Sequence, residues 1–183
     1  MSEIEGLIQA YKHYVQLPWD RNLAGPQKVW FALYEPAHER RLRFRLQEFE
    51  EATLNAQHTW KLFNMTDTFA EWMAQHEYRE EYFEQPEDMN PALNDFMQDL
   101  SHQIIAELTH PDVDADTVVA ILGLGSLFGL TFASAIFKAI APSIQGRLLV
   151  FFPGQHHGSI YRLLNARDGW NYLAVPITGL EGQ

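Results

Sequence analysis

TVVAILGLGSLFGLTFASAIF, the stretch from Thr117 to Phe137, carries no charge over 21 residues, long enough to cross a bilayer by length alone. Its internal pattern argues against that. Val118-Val119-Ala120-Ile121-Leu122 is the β-branched run of a buried strand, and Gly123, Gly125 and Gly129 then interrupt it. Past the glycines the apolar residues fall at helical spacing: Phe128, Thr131 and Phe132, Ala135 and Ile136, Ala139 and Ile140, until Pro142 stops the segment. A buried strand feeding a buried helix accounts for the whole stretch without lipid, and it sets the class of the fold.

Outward from this unit the same alternation recurs. Residues 2–17 form an amphipathic helix with Ile4, Leu7, Ile8, Tyr11, Tyr14 and Val15 on one side, ending at Leu17-Pro18. Val29 to Tyr34 is a fully apolar strand, followed by a helix from Pro36 to about Ala56 with Leu42, Leu46, Phe49 and Thr53 inward. Thr59 to Phe63 is a second strand. Thr66 or Asp67 caps a helix with Phe69, Trp72 and Met73, and Pro91 opens another with Leu93, Phe96, Met97, Leu100, Ile104 and Leu108. After Val118–Leu122 comes a fourth strand, Arg147 to Phe152, closed by Pro153-Gly154. A fifth runs from Asn171 to Ile177, and Tyr161 to Leu164 adds a short edge strand. Strands apolar on both faces and separated by helices predict an α/β fold. The expectation is one domain over residues 1–183, a mostly parallel sheet of about five strands with helices on both faces, and a mixed or antiparallel carboxyl edge, because the last strands are too close for helical crossovers.

Composition narrows the function. The chain has 183 residues, 46% apolar, 20% charged and 13% aromatic, which is globular rather than low-complexity. It has no cysteine, which removes disulfides, Cys-ligated metal and thiol nucleophiles and fits a reducing cytoplasm. No secretory signal is visible at the start. Of 24 acidic residues against 13 basic, 17 lie between Gln47 and Asp116, where the only basic ones are Lys61 and Arg79. Direct nucleic-acid binding by that acidic middle is not expected, since phosphate recognition needs clustered cations. The one cluster, Arg40, Arg41, Arg43 and Arg45, is a solvated helix face with Glu39, Glu48 and Glu50 as partners.

Candidate chemistry is sparse. Gly123, Gly125 and Ser126, in a strand-to-helix turn, could hold a nucleotide phosphate on backbone N–H groups and a helix dipole. The spacing is G-x-G-x-x-x-G, at the third strand, with neither a Lys-Ser/Thr pair nor an acid for a ribose after it. Ser126 lacks a G-x-S-x-G frame. His156-His157 are adjacent in sequence, and His76-Glu77 is not an H-E-x-x-H pattern because residue 80 is Glu80, so no metal or other cofactor is expected. Glu35 is a weak acid/base candidate at the carboxyl end of the first strand, where a ligand pocket near Tyr34-Glu35, Gly123 and Pro153-Gly154 is the place to look. HEYREEYFEQPED, His76 to Asp88, interleaves aromatics with Glu80, Glu81 and Glu84, a combination that suits either a docking face for a basic partner or a solvated helix whose aromatics are core, since Tyr78 and Tyr82 share a helical face. Arg162, Arg167, Asp168 and Trp170 gather around a turn at Asn165–Gly169, with Arg167 or Arg162 able to pair with Asp168. That corner is a structural hairpin anchored by Trp170 or a partner-recognition edge.

RLLVFFPGQHHGSIYRLLNARDGWNYLAVPIT, from Arg147 to Thr178, resembles the closing signature of the BrxB family, a domain of unknown function encoded in BREX phage-exclusion operons. LPWDRNLAGPQKVWFALYEPAHERRLRFRL (Leu17 to Leu46), MTDTFAEWMAQHEYREEYFEQPED (Met65 to Asp88) and TVVAILGLGSLFG (Thr117 to Gly129) resemble it in order, so the similarity covers nearly the whole chain. One departure is Gln155-His156-His157, where the family carries an acidic or polar residue after FFPG. The resemblance implies a small cytoplasmic component of bacterial antiviral defence, acting beside a PglZ-type protein of the alkaline-phosphatase superfamily, an ATPase and a methyltransferase. It brings no established catalytic residues. Two functions follow: a non-catalytic adaptor docking other BREX proteins, foremost a PglZ-type partner, or a nucleotide- or phosphate-binding regulatory module using the Gly123–Gly129 turn. A membrane partner is not expected.

Overall fold

The computed structural model describes residues 1–130, 133–167 and 169–179. Among these it is a mixed α/β fold of seven α-helices and one mixed sheet of seven strands. The helices are α1 (Glu3–Val15), α2 (Glu39–Phe44), α3 (Gln47–Asn55), α4 (Thr68–Gln75), α5 (Arg79–Glu84), α6 (Leu93–Leu108) and α7 (Ala133–Ile140). The strands are β1 (Val29–Tyr34), β2 (Thr59–Asn64), β3 (Thr117–Leu122), β4 (Arg147–His157), β5 (Ile160–Leu163), β6 (Trp170–Asn171) and β7 (Val175–Thr178).

The order is β2-β3-β4-β1-β7, and every neighbouring pair in that row is parallel. β5 pairs antiparallel with the far end of β4, and β6 with β5, forming an arm beyond the row. All six residues of β1 and of β3 are buried, because each strand lies between two layers of helix. Val29, Phe31 and Leu33 face α6 and α7, together with Val119, Ile121, Leu148, Val150 and Phe152. Trp30, Ala32 and Tyr34 face α1, α2 and α3, together with Val118, Ala120, Leu149 and Phe151. Three connections, β2 to β3, β3 to β4 and β4 to β7, step one way along the sheet over the α6/α7 side. β1 to β2 steps the other way over the α1/α3 side, so all four crossovers share one hand.

Local chemistry explains the element ends. Ser2 and Glu5 form a reciprocal capping box that starts α1, with Ser2 N–H donating to Glu5 at 2.9 Å. The helix expected from Pro36 to Ala56 divides into α2 and α3. Arg45 clamps the break by donating to Glu48 at 2.5 and 2.9 Å. The fourth strand does not close at Pro153-Gly154. At Pro153, opposite Tyr34, it changes partner from β1 to β5 and continues to His157. The fifth strand is two, β6 and β7. β7 is parallel to β1, although no helix lies between β4 and β7, because the β5–β6 arm makes the crossover over the α6/α7 face. The count is therefore seven strands rather than about five. No helix among the described residues is long and apolar enough to cross a membrane. The Thr117–Phe137 stretch is divided between β3, a short 3-10 turn at Leu124–Leu127 and α7.

Candidate functional site

β4 and β1 are adjacent and parallel, yet their chains leave to opposite faces of the sheet. In α/β folds such a switch point is where a crevice for ligand opens. Here side chains occupy it. The Tyr34 hydroxyl donates to the Glu39 carboxylate, which also accepts from Arg43 Nε at 2.7 Å. Arg43 donates on to Thr66 Oγ1 at 3.0 Å, and Thr66 Oγ1 to Asn64 Oδ1 at 2.6 Å. Burial, reinforced by the Glu39 carboxylate, pushes the Tyr34 phenol well above its ordinary range, so it stays a donor. The chain of bonds ties the carboxyl ends of β1 and β2 to α2 and leaves its polar groups satisfied. Glu35 is exposed, and its N–H donates to the Glu3 carboxylate at 3.1 Å, tying the α2 entry to α1.

The glycine turn sits beside this network. Gly123 adopts φ +91°, and a Cβ there would lie 2.5 Å from Thr66 Oγ1 and 2.8 Å from Thr66 N, so glycine is demanded by conformation and by packing together. Gly125 is roomier, with Pro153 and Leu164 at ordinary contact distance from a Cβ. Ser126 Oγ donates to Gly123 O at 2.7 Å. The N–H groups of Ser126, Phe128 and Leu130 donate within the turn to Gly123, Gly125 and Leu127. Phe128 to Leu130, expected at the start of the helix, are a turn, because Gly129 takes φ +79°. α7 is described from Ala133, and Thr131 and Phe132 lie outside the described residues. The turn spends three of its amides on itself.

The acidic aromatic segment forms α5 and its flanks. No residue of α5 is buried; Glu80, Glu81 and Glu84 are exposed, and Phe83 is 70% exposed. Arg79 anchors the helix by donating to Ala74 O at 2.6 Å. A chain of rings leads onto it from α4: Trp72 to His76 at 4.8 Å, His76 to Tyr82 at 5.1 Å, Tyr82 to Tyr78 at 6.5 Å. The foot of that chain lies in an open depression of about 300 Å³ between α4 and α6, with Glu71, Trp72, His76 and Asp99 on its walls. Aromatic area and carboxylates are continuous from the depression to Phe83.

The carboxyl-terminal corner divides. Trp170 is half-buried and packs edge-on to Phe31 at 5.8 Å and within 6.0 Å of Phe137, Phe152 and Tyr161, which makes it a core anchor. Arg162 and Arg167 are exposed. Asp168, and with it either predicted pair to Arg167 or Arg162, lies outside the described residues. His156 and His157 stand on the exposed end of β4 rather than in a loop, with His156 Nδ1 3.2 Å from Gly158 O. Among the described residues no group of three or more His, Asp or Glu is placed to hold a metal.

Sequence reasoning missed a cluster at the amino ends of the strands. Arg147 is 4% exposed, donates to Asp20 O at 2.8 Å and Gly146 O at 3.0 Å, and lies 4.9 Å over the Trp19 ring. His58 stacks on the same Trp19 ring, 3.6 Å between centroids and within 9° of parallel. Burial depresses its pKa, and its Nδ1 is buried without a partner among the described residues. The usable signal was a lone arginine heading an apolar strand. Missed as well was the α3–β2 side, where Leu46, Leu54, Trp60 and Leu62 line an open groove of about 440 Å³.

No family model, no curated protein and no solved structure matches this chain.

Proposed function

We propose that this protein is a non-catalytic adaptor subunit of a bacterial BREX-type phage-defence system, acting in the cytoplasm and docking a PglZ-type partner. We read the sheet as a five-stranded parallel body carrying a two-stranded antiparallel arm, a rigid support for surfaces on its periphery. The observation that carries the adaptor reading is α5. A six-residue helix is too short to persist on its own propensity. None of its residues is fully buried, yet it holds three carboxylates and a 70% exposed phenylalanine in one place. Ordering such a segment without return in the core is the signature of a surface kept for a partner, with aromatics for desolvated contact and carboxylates for steering. Arg162 and Arg167 offer a second, cationic edge. The regulatory alternative at Gly123–Gly129 draws no support from a turn in which the Ser126, Phe128 and Leu130 amides are engaged internally.

The test is co-expression with the PglZ-type protein of the same operon and size-exclusion chromatography at moderate salt. Wild type is expected to co-elute stoichiometrically. The triple variant Glu80→Lys, Glu81→Lys, Glu84→Lys is expected to run alone with an unchanged circular dichroism spectrum. Co-elution of that variant at wild-type level would sink the α5 surface.

A further inference from the structure

β2 is the outermost strand at its end of the sheet. Its ladder to β3 takes the N–H of Thr59, which donates to Asp116 O, and continues to that of Met65, which donates to Leu122 O. In a parallel pair each residue turns its N–H and C=O to the same side, and successive residues alternate. Lys61 and Phe63 therefore point their backbone groups into the sheet, and Trp60 and Leu62 point theirs outward. Along these six residues there is no proline, and the single charged side chain, Lys61, is engaged on the opposite face by Glu107 at 3.2 Å.

The same outward residues carry apolar side chains beside the free backbone. Trp60 and Leu62 form one wall of the groove, and Leu54 of α3 with Leu46 just before it form the other. Leu54 is 49% exposed and Leu62 39%. Glu50 and Glu51 stand on its rim. Glu51 accepts a hydrogen bond from Gln47, and among the described residues no cation lies within 4.0 Å of either carboxylate, although Glu39 and Glu48 on the same helical stretch are paired with arginines. Free ladder groups, one apolar groove and two carboxylates without a cation partner among the described residues lie together on this side.

We propose that this strip binds an extended segment of a partner protein that presents apolar and basic side chains on one face, at every second residue, adding a strand to β2. Main-chain groups of the guest would meet those of Trp60 and Leu62. On the α3 side its apolar side chains would enter the groove and its Lys or Arg side chains would reach Glu50 and Glu51, all of which line that groove. A second copy of this chain suits the strip poorly, because an isologous pairing would set each acidic rim against its own copy. The proposal rests on the adaptor reading only in assuming that a partner exists, and it concerns a surface other than α5.

The test uses the intact protein and a fluorescently labelled peptide of about eight residues with valine and lysine in turn at every second position and threonine between them, against the same peptide with glutamate for lysine. The lysine peptide is expected to bind and the glutamate peptide to bind at least about tenfold more weakly. Leu62→Pro removes an outward N–H that the fold does not use, and is expected to weaken binding by at least about tenfold with the fold intact. The pair Glu50→Lys and Glu51→Lys, on the exposed rim, is expected to reverse the preference between the two peptides, and it decides the matter if Leu62→Pro fails to fold. Equal binding of both peptides, binding indifferent to Leu62→Pro, or a wild-type dimer that Leu62→Pro converts to monomer would each overturn the proposal. Failure of the peptide while the PglZ-type partner still co-elutes would overturn this surface alone and leave the adaptor reading standing.

Discussion

The two ends of the sheet receive opposite treatment. At one end β7 has four residues, includes Pro176, and lies under the first turns of α1. The approach there is so close that a Cβ on Gly6 would lie 2.3 Å from Gly179 O, and one on Gly179 would lie 2.4 Å from Leu7 N. Ile177 is buried against α1, and β7 is short, proline-bearing and covered. At the other end β2 has six residues without proline and is flanked by a groove. The same chain thus contains the means to blunt an edge and applies them at one end only. The open end is more than an unfinished sheet, because its apolar wall and acidic rim are matched to each other.

This contrast can be broken most severely at the covered end. Ile177→Ala should lower unfolding free energy by about 2–5 kcal/mol, since the site sits in a core that cannot collapse around the loss, whereas Leu62→Ala at the open end should cost under about 1 kcal/mol. Urea denaturation measures both, and equal losses would contradict the asymmetry. Within β2 the direction of backbone groups sets the next effect. Lys61→Pro deletes a ladder bond to β3 and also the Glu107 pair, and should cost about 2 kcal/mol more than Leu62→Pro, whose N–H faces outward.

The smallest effects are titrations, and the two regions should fail at opposite ends of the pH scale. Tyr161 and Tyr172 pack against Phe31, and burial pushes both phenols up to about 12 from an ordinary 10. The folded chain then holds protons that the unfolded chain releases. Their contribution is complete below pH 10 and is lost as pH rises from 10 through 12. His58, immediately before β2, is depressed by burial beneath Trp19, so the unfolded chain takes up its proton first. Its contribution is complete above pH 6.5 and declines as pH falls below it. Thermal melts across pH check both: Tyr172→Phe should flatten the alkaline decline, and His58→Gln the acid one.

Legibility followed burial. β1 and β3 were predicted within a residue because a strand buried on both faces must be apolar throughout, and few other structures fit such a run. α1 and α6 were readable from their periodic apolar faces, with Ile4, Leu7, Ile8 and Tyr11, and Phe96, Leu100, Ile104 and Leu108, all inward. The end of β4 was misplaced because proline is a breaker by type, whereas Pro153 occupies the one position where the strand exchanges β1 for β5. Strand spacing predicts the antiparallel or mixed carboxyl edge, and the edge is mixed; that β7 itself is parallel to β1 was not legible, because spacing excludes a helical crossover but says nothing of a two-stranded one. Of the site residues, α5 was visible as a surface from its charge. The Arg147–Trp19–His58 stack joins residues 39 and 89 positions apart, so the lone arginine heading an apolar strand marks one member and no local pattern names its partners. The β2 groove is invisible for a related reason: Leu46, Leu54, Trp60 and Leu62 look like core residues until the strand order makes β2 an edge.

Hydrogen–deuterium exchange of the protein alone and in the co-purified complex tests the central claim, that its surfaces rather than a ligand crevice do its work. Alone, the amides of Trp60, Leu62 and α5 should exchange fast while those of β1 and β3 are protected. In complex, protection should appear at β2 and α5, with β7 and Gly123–Gly129 unchanged. Protection confined to Gly123–Gly129, with β2 and α5 exchanging as in the free protein, would contradict the account.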